Sequence, residues 1–154
     1  MTRIHERIET ALALDDAFDF IADFANTATW DPGTVTSRRR ADERPGPGAR
    51  YDLGVRMGGR VTPMEYRIRE FERPHRVVLV GTGENVAAVD DIRFDRSGDR
   101  TVVDYSADIR LGGWLRLVEP FLAGTFAKIG RDAAAGMERT LEARAERSAS
   151  GTGR

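Results

Sequence analysis

Between Thr34 and Leu111 apolar and polar residues alternate with a period of two for most of the way; the segments directly before and after it have a period of three or four. Before that region, Ile4, Glu6, Ile8 and Thr10 alternate with His5, Arg7 and Glu9, which predicts a first strand over residues 3–12. Asp15 is placed to cap a short helix reaching Phe24, with Phe18, Ile21 and Ala22 on its buried face. Residues 26–30 add a turn of helix that Asp31-Pro32-Gly33 ends. The first period-two segment is a polar strand over residues 35–41, followed by a turn at Pro45-Gly46-Pro47-Gly48. Tyr51, Leu53, Val55 and Met57 then alternate with charged residues and glycine, and Gly58-Gly59 suits a tight hairpin. Met64, Tyr66 and Ile68 continue the pattern, with Pro63 marking an edge position or a bulge. Further strands are expected at residues 77–80, 86–94 and 102–111.

From Gly113 to about Arg147 the apolar residues are Leu115, Val118, Leu122, Phe126, Ile129, Ala133, Met137 and Leu141, one continuous stripe along a helix. Arg116, Glu119, Lys128, Arg131, Asp132, Glu138, Arg139 and Glu142 are expected in water on the other side. At 1.5 Å per residue such a helix runs on the order of 50 Å and must bend or cross a whole sheet. Pro120 offers the bend, and Gly136 leaves space on the apolar face. Short turns between successive strands require antiparallel pairing, and only one sheet face is apolar enough to take the helix. The expected class is therefore α+β: a seven-stranded antiparallel sheet curved around one long C-terminal helix, with two short helices between strands one and two. Residues 1–147 form one domain, and the small polar residues 148–154 a disordered tail.

Composition narrows the functional classes. A formal net charge of −1 with 32% charged residues argues against nucleic acid or an anionic membrane as the main partner. The basic run Arg38-Arg39-Arg40 alternates its faces on a strand and makes no single patch. There is no cysteine, which excludes disulfide and thiolate chemistry. No apolar stretch reaches the length of a membrane span and the N-terminus lacks a signal-peptide core, so a soluble, cytoplasmic protein is expected. His5 and His75 have no partner at a metal or triad spacing, and Gly81-Thr82-Gly83 lacks the rest of a dinucleotide fingerprint.

The segments Phe18-Asp19-Phe20-Ile21-Ala22-Asp23-Phe24 and Trp30-Asp31-Pro32-Gly33, the strands around Met64-Glu65-Tyr66-Arg67-Ile68 and Val103-Asp104-Tyr105, and the Pro-kinked terminal helix carry a resemblance. Over residues 3–147 the chain resembles the helix-grip fold of the START and birch-pollen-allergen superfamily (SRPBCC). It is most similar to the bacterial polyketide cyclase/dehydrase and lipid-transport group. The resemblance implies an apolar cavity between sheet and helix, a small hydrophobic ligand as partner and no cofactor. Charge and hydropathy, as above, lead to the expectation of no nucleic acid and no stable membrane insertion, and a monomer or homodimer is expected.

Alternation and the resemblance together nominate the lining of that cavity. From the sheet come Tyr51, Leu53, Val55, Met57, Met64, Tyr66, Ile68, Asp90, Ile92, Phe94 and Tyr105, with Val103 and Ala107 on the same face. From the C-terminal segment come Val118, Phe121, Leu122, Phe126, Ile129 and Met137, and Trp30 and Trp114 stand at the cavity ends. The same residues would also build a plain packed core. Asp90 has two readings: inward with Ile92 and Phe94, as an orienting or acid–base group, or outward with Asp91 through a bulge. The half-helix before Pro120, with Trp114, Leu117, Val118 and Phe121, is expected to cover one end of the cavity as a gate. Three functions follow: a binder of a lipid-like or polyketide-like molecule, an enzyme of the cyclase/dehydratase type using pocket tyrosine and aspartate groups, or a protein-interaction module with a vestigial cavity.

Overall fold

The computed structural model describes residues 1–153. The chain runs β1 (Thr2–Thr10), α1 (Leu14–Ala22), a 3-10 turn (Phe24–Asn26), α2 (Thr27–Trp30), then β2 (Thr34–Arg39), β3 (Arg50–Met57) and β4 (Arg60–Glu72). It continues with β5 (Arg76–Gly83), β6 (Val86–Ser97), β7 (Arg100–Leu111), α3 (Leu115–Val118), a 3-10 turn (Glu119–Leu122) and α4 (Ala123–Gly151). All seven strands form one antiparallel sheet in the order β1-β7-β6-β5-β4-β3-β2. Strands β2 to β7 follow one another as hairpins, and the first strand returns to lie beside the last, with Ile4 opposite Ala107 and Ile8 opposite Val103. This is the expected helix-grip arrangement.

Local chemistry explains where the elements begin and stop. Ala41 has a left-handed φ of 56°, so β2 ends at Arg39 and not at the expected Ala41. Ala13, not Asp15, precedes α1; Asp15 lies in the first turn with Asp16, where carboxylates meet the positive end of the helix. Pro63 lies just beyond the β4 residues that pair with β5, so its missing N–H leaves no gap in that ladder. The charged sheet face is laced by ion pairs: Arg3 with Asp108 at 2.7 Å and Arg76 with Asp91 at 3.0 Å across neighbouring strands, and Arg40, just past β2, with Asp52 at 2.7 Å.

The C-terminal stripe is not one helix. Pro120 breaks it, and Glu119–Leu122 forms a tighter turn between α3 and α4. That turn changes the helical phase, so Glu119 is buried against the chain's own ammonium group at 2.8 Å instead of facing water. At the other end α4 continues to Gly151, so residues 148–151 are helical and not part of a disordered tail. Ser150 and Thr152 hydroxyls there donate back to the carbonyls of Glu146 and Ser148; Arg154 lies outside the described residues.

Two glycines set where α4 lies. A methyl group on Gly130 would overlap Ile4 of β1, and one on Gly136 would overlap the Trp30 carbonyl oxygen. The space expected at Gly136 is therefore absent: Trp30 and Pro32 fill it, and the glycine permits close approach of backbone to backbone.

Candidate functional site

Clamped by those contacts, α4 leaves a cavity of about 120 Å³ between itself, α2 and the concave face of the sheet. Strand β1 contributes Ile4, Glu6 and Ile8, and β7, paired to it, contributes Val103, Tyr105, Ala107 and Ile109. Asp90 and Ala88 come from β6, Tyr66 from β4, and Leu53 and Val55 from β3. Small residues of α4 (Gly130, Ala133 and Ala134) form the roof with Ile129 and Met137, and Phe24, Thr27, Trp30, Asp31 and Thr34 close one side.

The pairing of β6 with β7 runs from Val86 to Ser97 without a shift, so strict alternation holds and no bulge turns Asp90 outward. Asp91 points to the opposite face, where it meets Arg76. Asp90 is buried and accepts a hydrogen bond from the Tyr105 hydroxyl. Burial pushes its carboxyl up to about 7, the Tyr105 hydrogen bond opposes the rise, and the charge of Asp31 adds to it. Asp31 is itself raised by burial, against hydrogen bonds from the Thr34 hydroxyl at 2.7 Å and the Gly33 amide at 2.9 Å. Tyr66 and Tyr105 are both pushed well above the phenol range, first by burial and then by the charge of Asp90. Near neutral pH, Asp90 can therefore take or give a proton, while the two phenols stay protonated and can only share theirs.

Trp30 packs edge-on against Tyr105, with ring centroids 6.1 Å apart. Its indole Nε1 and the Thr27 hydroxyl are buried with no hydrogen-bond partner among the described residues, and both side chains line the cavity. Among the described residues no group of three or more metal-ligating side chains is clustered.

Of the residues nominated from sequence, Trp30, Leu53, Val55, Tyr66, Asp90, Tyr105, Ile129 and Met137 meet around this cavity. Tyr51, Ile68, Ile92 and Phe94 share the sheet face but are sealed elsewhere in the core. Phe18 of α1 stacks edge-on against Phe94 at 5.1 Å, and Phe24 lies 6.2 Å from Tyr51, so the short helices plug that end of the sheet. Met64 is buried beside Gly83, Phe126 is buried outside the lining, and Met57, Val118 and Leu122 are half-buried outside it. Trp114 and Phe121 are 69% and 85% exposed, with Leu117 at 78%, so the half-helix before Pro120 does not cover the cavity. The turn at Glu119–Leu122 rotates those side chains away while it buries Glu119. The main omissions are Ile4, Glu6 and Ile8. Their shared face is visible in the sequence; that β1 pairs with β7 is not.

Residues 1–142 match the sequence model of the family described as polyketide cyclase / dehydrase and lipid transport. No curated protein sequence matches the chain. Among solved structures it is similar to a START superfamily protein from Mycobacterium smegmatis, at 15% identity and a TM-score of 0.74, covering 92% of this chain and 98% of that one. It is also similar to the Zhui aromatase/cyclase from Streptomyces sp. R1128, at 14% identity and a TM-score of 0.75, covering 98% and 97%. The di-domain aromatase/cyclase StfQ of the steffimycin biosynthetic pathway matches at 10% identity and a TM-score of 0.69, over 94% of this chain and 52% of that one. At these identities the likeness is one of fold.

Proposed function

The chain belongs to the polyketide cyclase/dehydrase and lipid-transport family, and from that premise we propose that it binds a small, largely apolar molecule between the sheet and α4. The observation carrying this reading is the cavity itself, walled by apolar side chains and furnished with a few convergent polar groups. Its volume of about 120 Å³ limits the occupant. Apolar cavities of about 150 Å³ take up benzene, whereas drug-sized ligands occupy roughly 300 Å³ or more. A ligand of about one ring fits without displacing α4. Burying one ring, about 150–200 Å² at roughly 25 cal/mol per Å², contributes on the order of 4–5 kcal/mol, so polar contacts must supply any tighter affinity. Native mass spectrometry of the purified protein should show a retained small molecule, and single-ring compounds added to it should raise Tm. If no compound is retained and none shifts the melt, the cavity is only a packing defect.

A second reading has one observation in its favour. A carboxyl near pKa 7, hydrogen-bonded to a phenol and facing an apolar space, is suited to moving a proton during ring closure or dehydration. The small volume argues against folding a long poly-ketone chain in this conformation. Loss of water from a short β-hydroxyacyl thioester to give the enoyl thioester, abolished in Asp90→Asn while the thioester still binds, would favour the enzyme; binding without turnover favours the carrier.

A further inference from the structure

The charges around the cavity are one-sided. Three of its lining residues are acids, Glu6, Asp31 and Asp90, and none is Lys, Arg or His. The chain as a whole is nearly balanced, with 24 basic and 25 acidic residues, and the outer sheet face pairs its carboxylates with arginines. None of the three cavity acids takes part in an ion pair among the described residues. A buried carboxylate without a counter-charge is costly, and here the charge of Asp31 adds to the cost at Asp90.

An independent observation points the same way. Thr27 and Trp30 are 3% and 4% exposed, and the hydroxyl of one and the indole N–H of the other have no partner. Buried polar groups are ordinarily satisfied, so such atoms in a cavity wall mark where a ligand's polar atoms belong. Around them stand Phe24, Trp30, Tyr66 and Tyr105, whose ring faces attract cations. A metal ion is the wrong cation here, because the three carboxyls do not converge into a ligand set.

We propose that the ligand is a one-ring amine bound as its ammonium ion, with Asp90 as counter-ion, the Thr27 hydroxyl accepting an ammonium proton and the Trp30 N–H donating to an oxygen on the ring. This inference rests on the ligand-binding reading above and names the class of ligand. It also predicts a pH response. The groups facing Asp90 are Glu6 from β1, Asp31 after α2, Tyr66 from β4 and Tyr105 from β7, while α4 presents only Ile129, Gly130, Ala133, Ala134 and Met137. With no competing cation in that set, amine affinity follows ionisation of the carboxyls and rises with pH.

The test compares tyramine with tyrosol, which has the same skeleton and a neutral hydroxyl in place of the amine, by calorimetric titration of the whole protein. Near pH 8.5 the amine is still protonated, since aliphatic amines titrate near about 10.4. Tyramine should bind at least about ten-fold tighter than tyrosol there, and the preference should shrink several-fold at about pH 5.5 as carboxyls protonate. Asp90→Asn, checked for folding by its melt, should bring the affinity ratio close to one. Equal affinity for both compounds in the unaltered protein overturns the amine and leaves a neutral apolar ligand standing. A preference retained in Asp90→Asn overturns Asp90 as the counter-ion. Failure of both compounds to bind at either pH overturns this inference, while the ligand-binding reading falls only if, in addition, no compound is retained in native mass spectrometry and no single-ring compound raises Tm.

Discussion

Asp90 is held in place by the register of β6 and is charged at a cost. Its carboxyl titrates near 3.8 when solvated and near 7 when folded, so the folded state binds its proton more tightly than the unfolded state. The sign follows from linkage: the stabilising contribution is complete below pH 3.8, is lost as pH rises to about 7, and is flat above that. At about 1.4 kcal/mol per unit the full loss is on the order of 4 kcal/mol, with other groups titrating over the same range. Asparagine keeps the shape, can still accept from Tyr105 and carries no charge. Denaturant unfolding at about pH 4 and pH 8 should therefore show Asp90→Asn gaining on the unaltered protein by a few kcal/mol between the two. A constant difference would mean that Asp90 is solvated or already paired. Strict alternation would place Asp90 inward, but the sequence left open, and even favoured, a bulge at Asp90-Asp91 that turns both outward; only the unbroken β6–β7 pairing decides between them.

At the scale of elements, the C-terminal segment shows how a stripe can mislead. The spacing from Leu115 to Leu141 is helical throughout, and Pro120 marks the break correctly. The change of phase across the 3-10 turn is invisible in a period count, and it is what exposes Trp114 and Phe121. Gly136 fits the apolar stripe whether it faces a void or a neighbouring backbone, and the neighbour proves to be the Trp30 carbonyl. Gly136→Ala should thus lower stability by roughly 1–3 kcal/mol despite better helix propensity, since backbone must move to admit the methyl group. Gly124 is the control on the same helix: nothing lies near its added methyl, and Gly124→Ala should gain up to about 1 kcal/mol. Equal effects at both positions in chemical denaturation would refute the close crossing of α2 and α4. The short α3 has no buried residue, so amides at residues 115–118 should exchange with solvent faster than those at residues 127–141. Because α3 is absent from the cavity wall, adding a ligand should slow exchange in α4 and leave α3 unchanged. Protection that appears in α3 instead would restore it as the entrance.

For the molecule as a whole, strand number, antiparallel pairing and the gripping helix were legible because each rests on local periodicity and short turns. The part of the cavity wall made by Ile4, Glu6 and Ile8 was not, because β1 is joined to β7 by no turn that a sequence displays. Thr2 pairs with Ile109 and Thr10 with Thr101, and Gly130 and Glu142 of α4 then close over the same strand, the latter accepting from the Ala11 amide at 2.7 Å. The first strand made is thus among the last to find its place. During synthesis at roughly 5–20 residues per second, β1 leaves the ribosome several seconds before any partner strand exists. A six-strand meander can pair progressively behind it, but the wall carrying Ile4, Glu6 and Ile8 assembles only after β7 has emerged. Its face holds an acid between two isoleucines, and its reverse carries His5, Arg7 and Glu9. Those charges keep a waiting strand soluble and discourage it from pairing with the wrong chain. Of the groups that close the cavity, Glu6 alone adds its charge to theirs, on the face that the two isoleucines would otherwise leave wholly apolar.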